Sequence, residues 1–262
     1  EVYPILDRQR REYDFILNKL ESFYFITNYI SSLKMKTHEN YENALFTIMS
    51  KASLDLMGVY HCLYNGFEAQ AEVIHRSLYE AFIHCEFIFK DDTENRLQLF
   101  YNFQFVKRWN HIQKQLKLNP DYLKESGLPS QKIKAFEEDF NKFKGDYHPT
   151  DPQSWAYKIF RVNEKSRNPT FKKICDSLGK EYQVEYHSVY GTTSLLTHPS
   201  SIVGDYYTIS DTLNTNTIIN SPMYTANLVN IAVLTLDYCS RIILHIIKYF
   251  HIGDLDGLTL YI

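Results

Sequence analysis

Glycine and proline are scarce in this chain of 262 residues, which contains 9 and 8 of them respectively. Both residues interrupt regular secondary structure, and their scarcity argues against a fold of many short strands joined by tight turns. Apolar residues instead recur at a period close to 3.6 over long segments, which favours helix over sheet. The sequence therefore predicts an all-α fold, a bundle of about six long helices with a smaller inserted helical lobe.

One helical domain over residues 1–262 is expected, and its middle part differs from the rest. Residues 119–169 form shorter, more polar segments broken by Pro129, Pro149 and Pro152, and we interpret them as an inserted lobe or lid. Helices are predicted at 5–33, 40–64, 67–90, 94–117, 130–144, 154–160, 168–178, 180–197 and 222–250, with an irregular excursion, open to a short hairpin or a helical turn, at 199–221.

The chain has no large excess of charge of either sign, since its formal net charge is −3. This gives no global electrostatic case for nucleic acid, although a local patch for RNA or a nucleotide stays open. The sequence also lacks the glycine-rich phosphate loops G-x-x-x-x-G-K-[ST] and G-x-G-x-x-G. No cofactor is expected.

No two of the four cysteines form a C-x-x-C pair, which excludes a zinc ribbon or a thioredoxin-like motif. Disulfide scaffolds are typical of short secreted chains, and this chain is long. We therefore interpret Cys62, Cys85, Cys175 and Cys239 as reduced, mostly buried thiols of a cytoplasmic protein. The residues present show no signal-peptide pattern.

The most apolar segment, residues 227–250, has the length of a membrane span. Charged residues interrupt it, among them Asp237, Arg241 and His245 at successive spacings of four. We therefore predict a helix of the core or of a dimer interface and no membrane association. The row formed by these three residues could join a pocket, but a stripe that faces solvent or a dimer partner is the favoured interpretation.

The segment HRSLYEAFIH, residues 75–84, places three polar side chains in one row of a helix that is otherwise rich in apolar residues. Arg76, Glu80 and His84 are spaced four residues apart, so they lie on one slanting line along the helix. One interpretation is an Arg–Glu pair on a wet surface, worth a few tenths of a kcal/mol. The other is a polar pocket inside the bundle, where each buried charge needs a partner.

A second row with the same spacing follows downstream. Tyr190, Ser194 and His198 are again four residues apart, and His187 precedes them. His198 comes at the expected end of its helix, directly before Pro199, where the helix dipole favours a protonated imidazole. A lone histidine at this place is more often a structural cap, but two rows with matched spacing also fit one shared site.

These rows suit acid–base chemistry on an anionic substrate. Arg76 would bind the anion, His198 would transfer the proton and Glu80 would orient them. Tyr190, Ser194, His84 and His187 would surround the substrate. A metal site built on Glu80 and His84 is an alternative, but the adjacent arginine opposes a cation, and no metal is expected. Whether the protein is an enzyme stays open; if it is one, a metal-independent nuclease or phosphodiesterase-like hydrolase is the expected class.

The two motifs RSLYEAFIHCEFI, residues 76–88, and YGTTSLLTHPSSIV, residues 190–203, resemble those of a bacterial all-helical family known only as a domain of unknown function. Its pattern is an Arg-x-x-x-Glu helix followed by a Tyr-x-x-x-Ser-x-x-x-His helix. The resemblance implies a cytoplasmic helical bundle. It also implies a component of mobile or antiviral defence loci, hence an effector or toxin-like protein with a partner protein of the same locus.

A looser resemblance is to HEPN ribonucleases, helical dimers whose hallmark is an arginine followed, after four to six residues, by a histidine. Seven residues separate Arg76 from His84 and three separate Arg241 from His245, so this chain departs from that pattern. A homodimer is among the expected partners. The alternative function is a non-catalytic helical binding or sensor module whose polar rows are structural.

Overall fold

A computed structural model describes residues 3–33, 37–150, 154–163, 165–191, 208–210, 216–218 and 227–252. Helices dominate these residues, and the predicted all-α fold is confirmed. The helices are α1 (Tyr3–Ser32), α2 (Asn43–Tyr64), α3 (Glu68–Lys90), α4 (Thr93–Leu118), α5 (Tyr122–Glu125), α6 (Ser130–Phe143), α7 (Tyr157–Phe160), α8 (Phe171–Leu178), α9 (Lys180–Glu185) and α10 (Asn227–Tyr249).

Shorter elements complete the chain. Single 3₁₀ turns lie at Asn40–Glu42 and Lys144–Asp146, and a π-helix at Tyr186–Gly191 continues α9. The excursion predicted at 199–221 contains a short hairpin, in which β1 (Thr208–Ser210) pairs antiparallel with β2 (Asn216–Ile218). The bounds of α1 to α4 differ from the predicted ones by at most three residues.

The turn between α2 and α3 explains why these helices end where the sequence predicts. Gly66 adopts a positive φ of 76°, which glycine tolerates without strain. The amide of Phe67 donates to the carbonyl of Cys62 at 2.8 Å and that of Gly66 to Leu63 at 3.1 Å. This is the Schellman pattern that terminates helices. It turns the chain back at once, so α3 begins beside α2.

A second glycine lets the two helices approach closely. A methyl group at Gly58 would lie only 3.2 Å from the Cδ1 atom of Ile74. Further along the pair, the Lys51 ammonium of α2 donates to the Ser77 hydroxyl of α3. The contacts run in opposite directions along the two helices, so α2 and α3 form an antiparallel pair that fixes the orientation of Arg76.

Contacts between residues group the chain into two compact units. Unit 1 comprises Glu1–Lys36, Leu45–Phe87 and Leu178–Ile262, and unit 2 comprises Thr37–Ala44 and Ile88–Ser177. The predicted lobe at 119–169 falls inside unit 2, which begins earlier in the chain. Its role as a lid, like the single domain, stays a prediction.

Unit 2 is organised around α4, which packs against α6. The Tyr147 hydroxyl donates to the carbonyl of Leu99 at 2.7 Å, and its ring lies 5.3 Å from that of Phe103. On α6 the ring of Phe140 meets that of Trp109, yet no residue of α6 is fully buried. Helix α6 is therefore a solvated amphipathic helix, with its aromatic residues towards α4 and its charged residues in solvent.

Unit 1 contains α1, α9, α10 and most of α2 and α3. By length and composition α10 could cross a membrane, but 56% of its most apolar stretch of 18 residues is buried. The buried apolar side chains of α10 are Leu228, Ile231, Ala232, Tyr238, Cys239, Ile242, Ile243, Ile246 and Ile247. They make α10 a core helix of this unit, and the absence of membrane association stays a prediction.

The cysteines agree with the predicted reduced state. All four are free thiols; Cys85, Cys175 and Cys239 are buried and Cys62 is half-buried. Burial raises the pKa of each of Cys62, Cys85 and Cys239, so these thiols stay protonated near neutral pH.

Candidate functional site

The row on α3 begins with an ion pair at the edge of unit 1. Arg76 Nε lies 3.4 Å from Glu80 Oε1, one helical turn away, and the two side chains are 19% and 42% exposed. By itself this pair fits the wet-surface interpretation, which assigns it a few tenths of a kcal/mol.

The π-helix supplies the second partner of this arginine. The guanidinium carbon of Arg76 lies 4.0 Å above the ring centre of Tyr190, and that ring stacks on Tyr186 at 5.0 Å. A cation over an aromatic face is stabilised by about 0.5–2 kcal/mol, depending on exposure. The two rows therefore meet at Arg76 and Tyr190, and they do so at a π-helix, an element that is frequent at functional sites.

Four other predicted site residues have different outcomes. His84 is partly buried one turn beyond Glu80, and burial lowers the pKa of its imidazole to about 4, so it is neutral near pH 7. His187 is exposed, and its ring meets Tyr186 edge-on at 5.4 Å. Ser194 and His198 lie outside the described residues. The assignment of these residues to one site stays a prediction.

A second polar group lies further along α3, and we call it the Glu86 cluster; it consists of Glu86, Tyr182, Arg241 and His245. Tyr182 donates its hydroxyl hydrogen to Glu86 Oε2 at 2.8 Å. Arg241 Nε and His245 Nε2 each lie 3.2 Å from Glu86 Oε1. Arg241 Nη2 also donates to the Tyr182 hydroxyl at 2.5 Å. Helices α3, α9 and α10 thus converge on one carboxylate.

This cluster adds to the favoured interpretation of the row on α10. Arg241 and His245 are 32% and 31% exposed, so they do reach solvent, but both also contact Glu86 of the same chain, and Arg241 contacts Tyr182. Only Asp237 is half-exposed, with Oδ2 3.8 Å from Arg241 Nη1. The spacing on α10 shows that the three side chains share a face, but it cannot show which acid lies opposite. A sequence signal for Glu86 does exist, since it is an acid between Cys85 and Phe87, two apolar neighbours on a largely apolar helix.

The Glu86 carboxylate is held in its charged form. Burial alone would raise its pKa, but hydrogen bonds from His245 and Tyr182 and the charge of Arg241 outweigh that effect and lower it. For Tyr182 the burial and the adjacent carboxylate act together and raise its pKa to about 12, so it stays a donor. Arg241 additionally lies over the rings of Phe82 and Tyr182, at 4.6 and 5.5 Å.

Two buried polar atoms beside the cluster have no hydrogen bond within the part of the chain that the structure describes. They are Glu185 Oε2 and the Tyr238 hydroxyl oxygen. Burial raises the pKa of Glu185, which favours its neutral form. An unsatisfied buried polar atom costs about 1–3 kcal/mol, and native proteins retain few of them. Their position on the same two helices as Tyr182 and Arg241 marks this region as a candidate site.

A third polar pair is fully enclosed. His75 Nδ1 lies 2.9 Å from Thr235 Oγ1, and the imidazole stacks on Tyr238 at 5.3 Å. Burial lowers the pKa of His75 to about 4. Nearby, Glu72 Oε1 accepts a hydrogen bond from the Asn227 amide. Among the described residues, no group of three or more histidine, cysteine or acidic side chains could hold a metal ion.

Comparison with known proteins identifies a family but no reaction. One family model, described as a family of unknown function (DUF5677), matches residues 42–215. The matched segment covers more than half of the chain and includes Arg76, Glu80 and Tyr190. It confirms the resemblance to an uncharacterised family that the two motifs indicate. No curated protein and no solved structure matches the chain.

Proposed function

The chain belongs to the DUF5677 family, and we propose that it acts as a cytoplasmic effector or toxin-like protein of a bacterial defence system. Its substrate is RNA, a nucleotide or another phosphate-containing molecule, on which it acts without a metal. The defence setting comes from the resemblance to helical proteins of mobile and antiviral loci. A homodimer and a partner protein of the same locus belong to the same proposal.

One observation supports the chemistry. Arg76 stacks on Tyr190 through the face of its guanidinium and meets Glu80 through Nε. A guanidinium has five N–H donors in a planar fork, and stacking engages the face and not the edge. An arginine held in this way is pre-oriented. It loses less side-chain conformational entropy when a phosphate oxygen binds to the N–H groups at the edge of its guanidinium.

The proposed roles of the other site residues follow from the position of Arg76. His198 transfers the proton and Glu80 orients the arginine, while Tyr190, Ser194, His84 and His187 line the substrate position. The low pKa of His84, about 4, makes it a neutral hydrogen-bonding group near pH 7 and not a second cation.

The experiment compares His198→Ala and Arg76→Ala with the parent protein on single-stranded RNA and on ribonucleoside triphosphates, with EDTA present throughout. We expect each substitution to lower the turnover rate by about 100-fold or more, because general acid–base groups and anion-binding groups contribute on that scale. Arg11→Ala, which removes an exposed arginine of α1, is the matched control and should leave the rate unchanged. Full activity in a folded His198→Ala variant would refute this mechanism.

A binding or sensor module with structural polar rows is the second candidate. It is favoured by the contacts that Arg76 already makes to Glu80 and Tyr190, which join α3 to the π-helix. The free energy of unfolding of the Arg76→Ala variant distinguishes this candidate function from the catalytic one. A structural row predicts that Arg76→Ala loses about 1–2 kcal/mol, from the stacking contact with Tyr190 and the ion pair with the 42% exposed Glu80. A substrate-binding arginine predicts a loss below about 0.5 kcal/mol or a gain, because active sites often hold strain.

A further inference from the structure

We propose that the Glu86 cluster is a second ligand site, which binds the phosphate group of a sugar phosphate or nucleotide through Arg241 and His245. Glu86 and Tyr182 are positioning residues in this site. It is separate from the site of Arg76, since Arg76 and Glu86 are ten positions apart on α3, about 15 Å along the helix axis.

The geometry of the cluster is fixed before any ligand arrives. Glu86 accepts from Tyr182 on one oxygen and meets Arg241 and His245 on the other, and Arg241 in turn donates to Tyr182. These four contacts join three helices of unit 1. Groups held by such a closed ring of contacts lose little freedom on binding, which is what a recognition site requires.

The cluster is layered from the interior to the surface. The side chain of Glu86 is 12% exposed, whereas those of Arg241 and His245 are 32% and 31% exposed. Tyr182 is buried. The carboxylate and the phenol therefore lie beneath, and the two basic side chains form the solvent-facing layer. A ligand that approaches from solvent meets the basic groups first.

One nitrogen of Arg241 is placed for an anion. Nε is occupied by Glu86 and Nη2 by Tyr182, while Nη1 lies 3.8 Å from Asp237 Oδ2, close enough for an ion pair but beyond hydrogen-bond distance. The aromatic rings of Phe82 and Tyr182 cover the guanidinium faces. The N–H groups of Nη1 are therefore the ones that a phosphate oxygen would accept from.

Asp237 is the acid that competes with an anion at this position. The charges of Glu86 and Arg241 cancel, whereas the half-exposed Asp237 carboxylate lies 3.8 Å from Arg241 Nη1, so a bound phosphate must displace it. The neighbouring Glu185 is the third acid, and burial favours its neutral form.

The two unsatisfied atoms indicate what else the ligand carries. Glu185 Oε2 and the Tyr238 hydroxyl, both buried and without a hydrogen bond among the described residues, lie on the helices that supply Tyr182 and Arg241. A carboxyl oxygen and a phenol pair well with alcohol groups, which donate and accept. Both atoms are closed to solvent in this structure, so the sugar of the ligand must displace the side chains that cover them. A sugar phosphate that does so satisfies more of the site than inorganic phosphate does.

The test is calorimetric titration of the full chain with inorganic phosphate and with ribose 5-phosphate. We expect the parent protein to bind ribose 5-phosphate at least tenfold more tightly than phosphate. The double variant Glu86→Gln/Arg241→Gln removes both charges together, which avoids leaving a buried carboxylate unpaired; it should weaken both affinities at least tenfold. Asp237→Asn, on the same helix face, is the matched control and should bind as tightly as the parent or more tightly.

Should the double variant fail to fold, the same titrations are made with His245→Asn, which is expected to weaken both affinities by a similar factor. Equal affinity in the parent and in the folded variant, or no binding to the parent at millimolar ligand, would overturn the proposal. Titration of the Arg76→Ala variant distinguishes binding at the Glu86 cluster from binding at the proposed catalytic site. Retained binding in Arg76→Ala supports the Glu86 cluster even if no catalytic activity is ever found, whereas binding lost only in Arg76→Ala would place the phosphate at Arg76 and overturn it.

Discussion

Lowering the pH from 7 to 4.5 should cost this protein about 2 kcal/mol of folding free energy through His75 alone. The imidazole is 3% exposed, and burial lowers its pKa from 6.5 to about 4. Between these two values the unfolded chain binds a proton that the folded chain does not. The contribution is therefore complete above pH 6.5 and is lost progressively as the pH falls towards 4.

The substitution His75→Asn isolates this effect. The asparagine amide can still reach Thr235 Oγ1, which lies 2.9 Å from His75 Nδ1, but it does not titrate. Urea unfolding at pH 7 and pH 4.5 gives the free-energy difference for each protein. We expect the difference to be about 2 kcal/mol smaller in the variant. His84, with its pKa also near 4, titrates in both proteins and cancels in the comparison. The same pH dependence in both proteins would contradict this account.

Phe82→Ala should destabilise the protein by about 4 kcal/mol. Phe82 is fully buried, and its ring lies 4.5 Å from that of Tyr238 and 6.1 Å from that of Tyr182. Truncation removes the buried ring, leaves a cavity between two large aromatic side chains that cannot collapse, and takes away one of the two rings beneath Arg241.

Chemical denaturation with circular dichroism measures this loss. Phe82→Leu is the first control, since it keeps most of the buried volume and should cost no more than about 1.5 kcal/mol. Val233→Ala is the second, because Val233 is an exposed residue of α10 and should change the stability by less than about 0.5 kcal/mol. A loss below about 2 kcal/mol in Phe82→Ala would show that the aromatic group is not the packed core described above.

The fold was predictable because its signals are local. Long runs with a helical period define α1 to α4, and the pair Asn65-Gly66 marks the end of α2, where the Schellman turn is found. Periodicity could not show that α9 continues as a π-helix at Tyr186–Gly191, because an α-helix and a π-helix differ by about one residue per turn and share the same apolar residues.

The candidate sites depend on contacts between distant segments, and sequence spacing reports these only in part. Two rows with the same spacing indicate Arg76 and Tyr190 as candidates for one site, and the structure brings these two side chains into contact. Glu86 was missed because its partners Arg241 and His245 lie about 160 residues away in the sequence, and residue spacing within one helix does not report contacts with another. The row on α10 identified the correct residues but not their surroundings.

The number of residues in the π-helix determines whether Tyr182 and Tyr190 can both reach α3, each at its own candidate site. In an uninterrupted α-helix Tyr182 and Tyr190, eight residues apart, would point about 80° away from each other. A π-turn closes on the fifth residue and therefore rotates each residue by a smaller angle, which brings both tyrosines back towards α3. A π-turn is what an α-helix becomes when one residue is inserted. The removal of a single residue between 186 and 191 would thus turn Tyr190 away from Arg76 while Tyr182 stays on Glu86, so the number of residues in this segment, as well as their identity, determines whether one helix can serve both sites.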